Sequence, residues 1–519
     1  IGEFTGYAIT SEEKVVAWGL NNYSQLASGD TETKAVPVYM KDKDGNDFTD
    51  AMIVSGGIYN TELAKSDGTV WSIGYNGYGE LGDSTTTSTS KLECISTQYI
   101  KLQEREVTLK LSNPNYQINP ETVYGFNLFD SVENEGFKYK TSDANVAIVD
   151  EDTGKVTATG LGRAYITVKS KNSDDETRVV IDVIGEDKKV REKVEAGTIH
   201  SLALKQDGTI WSWGDNSQGE MGNGSIDSIK TTEPTQIKKG QYTEVKTITT
   251  PDGSQQVTTT VIEKELNDIK DIASGYYYNL AVDMDGYVYS WGYNGYGQLG
   301  DGTTVAKAIP TRIEGLEHIE KVRTYENTSI AINEDGEIYI WGYGYNQTPT
   351  KLTFYSKAVD VHKRLILAED GSVWYLSQNP SRISQLKNIV EVASGTNYYS
   401  ALDADGRVWV WGYNGYGQLS QGDTSSISVP TPVKVLKAVQ DGDEPEYEDL
   451  LNIVEIKSGD NNLLMISNTG EIYVSGYSGY GQLGTSNYNS YITIATKATN
   501  MDKAKFVDSE AYHSVASDR

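Results

Sequence analysis

Short runs in which apolar and polar positions alternate recur along this chain, and a period of two predicts strands, not helices. The fullest stretch lies between Ile269 and Pro310. Ile269–Ser274 alternates as a first strand, and Tyr278-Asn279-Leu280-Ala281-Val282 forms a second apolar run. Asp283-Met284-Asp285-Gly286 separates it from a third run, Tyr287-Val288-Tyr289-Ser290-Trp291. An Asp-Gly pair between two such runs predicts a hairpin, because glycine accepts positive φ without steric cost. The Gly-rich residues after Trp291 cannot sustain a strand and predict an ordered corner. Ile309-Pro310 opens a fourth strand, where proline suits a sheet edge.

The corner is a phrase that returns. WGYNGYGQLG stands at 291–300 and WGYNGYGQLS at 411–420, with IGYNGYGELG at 73–82, SGYSGYGQLG at 475–484, WGDNSQGEMG at 213–222 and WGLNNYSQLA at 18–27. Asp-Gly turns or their equivalents recur at 65–68, 205–208, 333–336, 368–371, 403–406 and 467–470. Four short antiparallel strands per unit of roughly 40–50 residues describe a propeller blade. The expected fold is all-β: a closed β-propeller of four-stranded blades, eight units by count, in which the two chain ends share one blade. Closure hides the edges that an open sheet exposes. The unit around Ile338–Gln347 lacks the Gln-Leu-Gly end, and that around Val373–Tyr375 has lost nearly the whole phrase.

Composition narrows the function. Asp plus Glu number 73 against 45 Lys plus Arg, a net charge of -28. Such a field repels phosphate backbones and anionic lipid, so neither nucleic acid nor membrane insertion is an expected partner mode. No stretch approaches the ~20 apolar residues of a membrane span. Tyrosine carries much of the apolar load, with 36 residues against 9 Trp and 7 Phe. Cys94 is the single cysteine, so the chain forms no internal disulfide and no thiolate metal site. The chain starts at Ile1, which reads as a removed leader or a cloning remnant.

The pattern of Gly197-Thr198-Ile199-His200-Ser201-Leu202-Ala203-Leu204, then Asp-Gly, a strand and Trp-Gly-x-Asn-x-x-Gly-Gln-Leu-Gly resembles the regulator of chromosome condensation repeat family. The resemblance implies a circular β-propeller, usually of seven blades. It does not select an activity, because relatives include a nucleotide exchange factor for a small GTPase, a plant ultraviolet photoreceptor and bacterial β-lactamase inhibitors. Photoreception needs tryptophans clustered on a dimer face. Trp18, Trp211, Trp213, Trp291, Trp341, Trp409 and Trp411 sit mostly at the repeat's own strand position and read as core.

The repeat stops between Cys94 and Asp187. Strand-like runs at 107–111, 137–143, 146–150, 154–158, 162–168 and 178–183 predict a small β-sandwich. The string TSDANVAIVDEDTGKVTATGLGRAYITVKS resembles the bacterial immunoglobulin-like group 2 domain. That resemblance implies a bacterial, extracellular setting and weakens the GTPase reading. The expected organisation is propeller over 1–97, immunoglobulin-like insertion over 98–186 projecting as a side arm, and propeller again over 187–519. Smaller projections are expected at 241–263 and 441–449.

Candidate chemistry is sparse. His200, His318, His362 and His513 show no metal-ligand spacing, and His200 and His513 share one repeat position, which reads as structural. There is no nucleophile elbow, phosphate-binding loop or metalloprotease helix motif. The chain is therefore expected to be no enzyme and to need no cofactor; a glycosidase with acids from distant blades is the weaker alternative. The only weak calcium candidate is Asp42, Asp44 and Asp47, which lacks the distal Glu of the helical calcium loop.

Within the phrase, Asn, Gly, Gln and Leu match the family's fixed positions. The free positions hold Tyr75 and Tyr78, Tyr293 and Tyr296, Tyr413 and Tyr416, Tyr477 and Tyr480. Equivalent positions on successive blades fall on one rim. The rings either pack between neighbouring blades or offer a binding surface, as tyrosine does in paratopes and on sugar faces. The function expected is a secreted or cell-surface bacterial binding protein contacting a protein or glycan, with homo-oligomerisation through the immunoglobulin-like arm as an option. The alternative is an enzyme inhibitor like the β-lactamase-inhibiting relatives.

Overall fold

The computed structural model describes residues 5–65, 69–82, 87–95, 98–124, 136–171, 173–249, 255–436, 446–479, 481–485, 491–499, 506–509 and 514–517. Among these the regular structure is all strand. The chain divides into two compact units.

One unit comprises Ile1–Gln103, Asn119–Phe137 and Lys169–Glu176. It holds a three-stranded sheet (Thr5–Ile9, Val15–Gly19, Lys34–Tyr39) and a four-stranded one (Ala51–Gly56, Asn60–Lys65, Val70–Gly74, Thr89–Cys94). Alternation places Val15, Ala17, Leu63, Ile73 and Leu92 in one core with Met40 and Phe48. Gln98–Lys101 pairs antiparallel with Glu121–Tyr124.

The other unit comprises Glu104–Ile118, Lys138–Val168 and Thr177–Arg519. From Lys193 onward six antiparallel meanders of four strands follow one another, with first strands Lys193–Ala196, Ile269–Ser274, Ile319–Tyr325, Ala358–His362, Ile389–Ser394 and Ile453–Ser458. A hairpin, Phe506–Ser509 with Ser514–Ser517, comes last. The meander that begins at Ile269 has Tyr278–Asp283, Val288–Gly292 and Lys307–Arg312 as its later strands; Pro310 lies on the last of these, which is not the sheet edge expected for it, because a further strand pairs beyond it.

The Asp-Gly turn joins one sheet to the next. Gly286 takes φ 82°, and its carbonyl accepts the N–H of Ile319, the first residue of the next sheet. A Cβ there would lie 2.8 Å from the Ile319 nitrogen, so both the turn and the close approach require glycine. The same bond runs from Ile269 to Gly208, Ala358 to Gly336, Ile389 to Gly371 and Ile453 to Gly406. The first strands of successive sheets consequently stand beside one another as an inner wall.

Two inter-sheet connections are themselves hairpins. Lys239–Thr249 pairs with Gln255–Glu265 and lies parallel to Lys307–Arg312, extending the next sheet to six strands. Lys434–Leu436 and Tyr447–Asp449 extend the sheet of Tyr491–Lys497 in the same way. The projections expected at 241–263 and 441–449 thus have ribbon structure, although 441–445 lie outside the described residues.

Besides the pair Gln98–Lys101 and Glu121–Tyr124, the described residues that interrupt the repeat form two sheets. One contains Phe137–Thr141, Gly162–Ser170, Glu176–Ile184 and Glu106–Lys110. The other contains Asn115–Gln117, Lys155–Ala158 and Ala147–Val149. The segment does not stand free as a side arm. Arg105, Glu106, Tyr165 and Arg178 reach residues of the later meanders. Polar side chains on this face find partners on the inner wall, which a solvent-exposed arm would not supply.

Candidate functional site

The repeated phrase is a turn stapled from within. Asn294 accepts the Leu299 N–H at 2.9 Å and donates to the Thr303 carbonyl at 3.0 Å. Asn21, Asn76, Asn216 and Asn414 make the equivalent bond to the residue five further on. Gln298 accepts the Tyr296 N–H, as Gln25, Glu80, Glu220 and Gln418 do in their copies. These residues are structural, and they leave the phrase a fixed frame for its variable positions.

The same frame pins blade to blade. The buried Trp341 donates its indole N–H to the Gln298 carbonyl at 2.9 Å, and Trp291 does the same to Glu220. His200 donates from Nε2 to Asn279, and Asn279 donates to the Glu220 carbonyl. Burial holds the His200 imidazole at about 4, so it is neutral. Trp291, Trp341 and Trp411 are core residues, whereas Trp18, Trp211, Trp213 and Trp409 are partly buried.

Glu220 occupies the position that glutamine fills in other copies. It is buried, and burial pushes its carboxyl up. An acid raised in the folded state is stabilised there at low pH, and that contribution is lost as pH rises through the raised value. Glu220→Gln is therefore expected to raise the melting temperature by a few degrees at neutral pH and leave it unchanged below about pH 3. Thermal melts at both ends of the range check this.

The tyrosines of the phrase form rails. The first tyrosine folds back over the glycine two residues on. A Cβ on Gly77, Gly295, Gly415 or Gly479 would collide with the hydroxyl of Tyr75, Tyr293, Tyr413 or Tyr477. Where the first tyrosine is missing, the glycine goes with it: Asp215 pairs with Ser217, and Leu20 stands before Asn22. The second tyrosine then meets the first ring of its own phrase edge-on, at 6.1 Å for Tyr293–Tyr296, 6.2 Å for Tyr413–Tyr416 and 6.4 Å for Tyr75–Tyr78.

It also meets the first-position ring of the next blade. Tyr296 lies 5.1 Å from Tyr343, Tyr416 lies 5.3 Å from Tyr477, and Tyr23 lies 5.1 Å from Tyr75. One rail thus runs Tyr276, Tyr277, Tyr293, Tyr296, Tyr343, another Tyr413, Tyr416, Tyr477, and in the first unit a third joins Tyr23, Tyr59, Tyr75 and Tyr78. Edge-to-face packing of this kind fixes ring orientation. The rings stay accessible: Tyr78 is 89% exposed, Tyr343 57%, Tyr296 46% and Tyr413 43%. Tyr75, Tyr293, Tyr416 and Tyr477 are partly buried, and Tyr480 lies outside the described residues. Packing between neighbours and exposure to solvent thus coexist in the same rings.

Tyr23, Tyr59, Tyr276, Tyr277 and Tyr343 join the rails in addition to the tyrosines expected from the phrase. Tyr343 follows Trp341-Gly342 just as Tyr293 follows Trp291-Gly292, which is the signal that locates it.

Two of the three calcium candidates, Asp42 and Asp47, have partners within the chain. Asp42 accepts the N–H groups of Asp44 and Asn46, and Asp47 pairs with Lys41 at 2.7 Å and Lys14 at 3.4 Å. Among the described residues the carboxylates that do converge are Asp268, Asp283 and Asp285. The Lys264 ammonium sits against that group, 2.8 Å from Asp283 and 3.2 Å from Asp268.

A profile of the RCC1-like domain matches residues 129–444, and the chain belongs to that family of β-propeller repeat proteins. It is 26% identical over 297 residues to the ultraviolet-B receptor UVR8 of Arabidopsis thaliana, covering 56% of this chain and 54% of the receptor. It is 28% identical over 245 residues to the protein RCC2 homolog of Danio rerio, covering 46% and 44%. It is 27% identical over 329 residues to the Homo sapiens E3 ubiquitin-protein ligase HERC2, covering 60% of this chain and 5% of the ligase. The chain thus spans at most about half the length of these relatives. Among solved structures, human WBSCR16 aligns with TM-score 0.37 and 17% identity over 97% of this chain and 99% of that one. Prp20p from Saccharomyces cerevisiae aligns with TM-score 0.36 and 14% identity over 98% and 92%.

Proposed function

We propose that this RCC1-like chain is a non-catalytic binding protein that works outside the cell and engages a protein partner through its tyrosine rails. In this reading the sheets close into a ring and residues 98–186 form an immunoglobulin-like insertion. The carrying observation is the packing of Tyr296 on Tyr343 and Tyr416 on Tyr477, with Tyr296, Tyr343 and Tyr413 open to solvent. Rings already held by neighbours lose little conformational entropy on binding, which favours contact over idle exposure. The net charge of -28 adds attraction for a basic surface.

Arrays of extracellular proteins and of glycans, probed with the intact chain, supply the partner. Hydroxyl-radical footprinting of the captured complex then reads the surface. Protection of Tyr296, Tyr343 and Tyr413, with Tyr355 unchanged, supports the reading. A partner bound with the rails still fully labelled overturns it, and capture by glycans alone replaces the protein partner with a sugar.

A further inference from the structure

The inner wall carries charge at one repeated place. In the five sheets after the one that begins at Lys193, the residue two past the start of the first strand, where the pairing register shifts, is Asp271, Lys321, Asp360, Glu391 and Glu455 in turn. Arg323 bridges Asp271 and Asp360 at 2.9 Å each, and Lys193 lies 2.7 Å from Asp271. That part of the wall is neutralised from within. Farther along, Lys457 lies 3.2 Å from Glu391 and 3.6 Å from Glu455.

The second cation comes from the interrupting segment. Arg178 is 8% exposed. Its guanidinium donates to the Val454 carbonyl at 2.8 Å, lies 3.5 Å from Glu391 and stacks on the Tyr165 ring with 4.4 Å to the centroid. The Tyr165 hydroxyl donates to Glu455 at 3.1 Å. Burial pushes the Glu391 carboxyl up and the Tyr165 hydroxyl well up, while nearby Lys457 and Arg178 pull Glu391 back down. A buried guanidinium with a carboxylate, a carbonyl and an aromatic face is how proteins hold arginine from a partner chain.

We propose that Glu391, Glu455 and the Val454 carbonyl form an arginine-binding seat on the inner wall, filled in this state by the chain's own Arg178. The interrupting segment acts there as a stand-in ligand. Two further ties of this segment to the wall and its turns are polar too, Glu106 to Lys321 at 2.6 Å and Arg105 to the Glu369 carbonyl. Lys321 holds the Glu106 carboxyl at about 2. The residues that hold the segment in the seat are polar, and Lys457 stays to share the wall carboxylates when Arg178 leaves. An arginine-bearing protein segment is the occupant that would displace it. This site is distinct from the tyrosine rails, and the proposal does not depend on what they bind.

The test uses N-acetyl-arginine amide as probe on the full chain. Arg178→Ala is expected to bind it saturably and at least about tenfold more tightly than the intact chain, because the stand-in no longer competes. Glu391→Gln with Glu455→Gln added to that variant is expected to abolish binding. On the intact chain, the probe is expected to speed hydrogen exchange in 162–184 beyond what sodium chloride of equal ionic strength does. Equal affinity of Arg178→Ala and the intact chain overturns the proposal. Equal exchange in probe and salt overturns it independently, and does so even if Arg178→Ala fails to fold.

Discussion

Trp341→Ala is expected to lower the stability of the chain by about 3–5 kcal/mol, the usual cost of emptying a large aromatic site in a packed core. Trp341 is fully buried, against Tyr278, Leu299 and Val322, so it fills the space between one sheet and the next. Its hydrogen bond contributes less than its volume. The Gln298 carbonyl it contacts also accepts from the Ser329 hydroxyl at 2.7 Å, so removing the indole does not orphan that oxygen. The half-buried Trp211, whose indole donates to the nearby Thr209 hydroxyl, provides the comparison. Urea unfolding of both alanine variants should show a much smaller loss for Trp211→Ala. Equal losses would mean that the inter-sheet layer is not where the tryptophans act.

Asn294→Ala is expected to have the next largest effect. It strips the buried Leu299 N–H of its acceptor and takes a donor from the Thr303 and Val305 carbonyls. Each buried polar group left unpaired costs about 1–3 kcal/mol. Because the phrase orients Tyr293 and Tyr296, the alanine variant should also loosen the rail. Denaturant unfolding ranks the stabilities, and hydrogen exchange at Leu299 reports the opened turn.

The strands were legible because alternation and Asp-Gly turns act locally. Ile269–Ser274, Tyr278–Asp283 and Lys307–Arg312 lie where the pattern predicts. The roles of Asn294 and Gln298 were legible for the same reason, since their partners lie within eleven residues or on the neighbouring repeat. The rails were half legible. Tyr293 and Tyr296 stand in a recurring phrase, but Tyr343 stands in a degraded copy, and Tyr23 follows a leucine where its rail partner would be.

The arginine seat was not legible. Arg178 and Glu391 lie far apart in sequence, and their charges read locally as the solvent face of ordinary strands. A charged residue at the same register shift in five successive first strands was the available signal. Alternation alone cannot distinguish water from a second segment of chain as its neighbour. The expectation of a side arm rested instead on both ends of the segment joining one blade, which says nothing of where its faces pack.

The central claim is that the rails bind. Tyr293, Tyr296, Tyr413 and Tyr416 replaced together by serine, with circular dichroism and melting checked against the parent, isolate it. Titration of the array-identified partner against both proteins by calorimetry is the most direct measurement. Loss of at least about a hundredfold in affinity with the fold intact is the predicted result; unchanged affinity in the folded variant would contradict it.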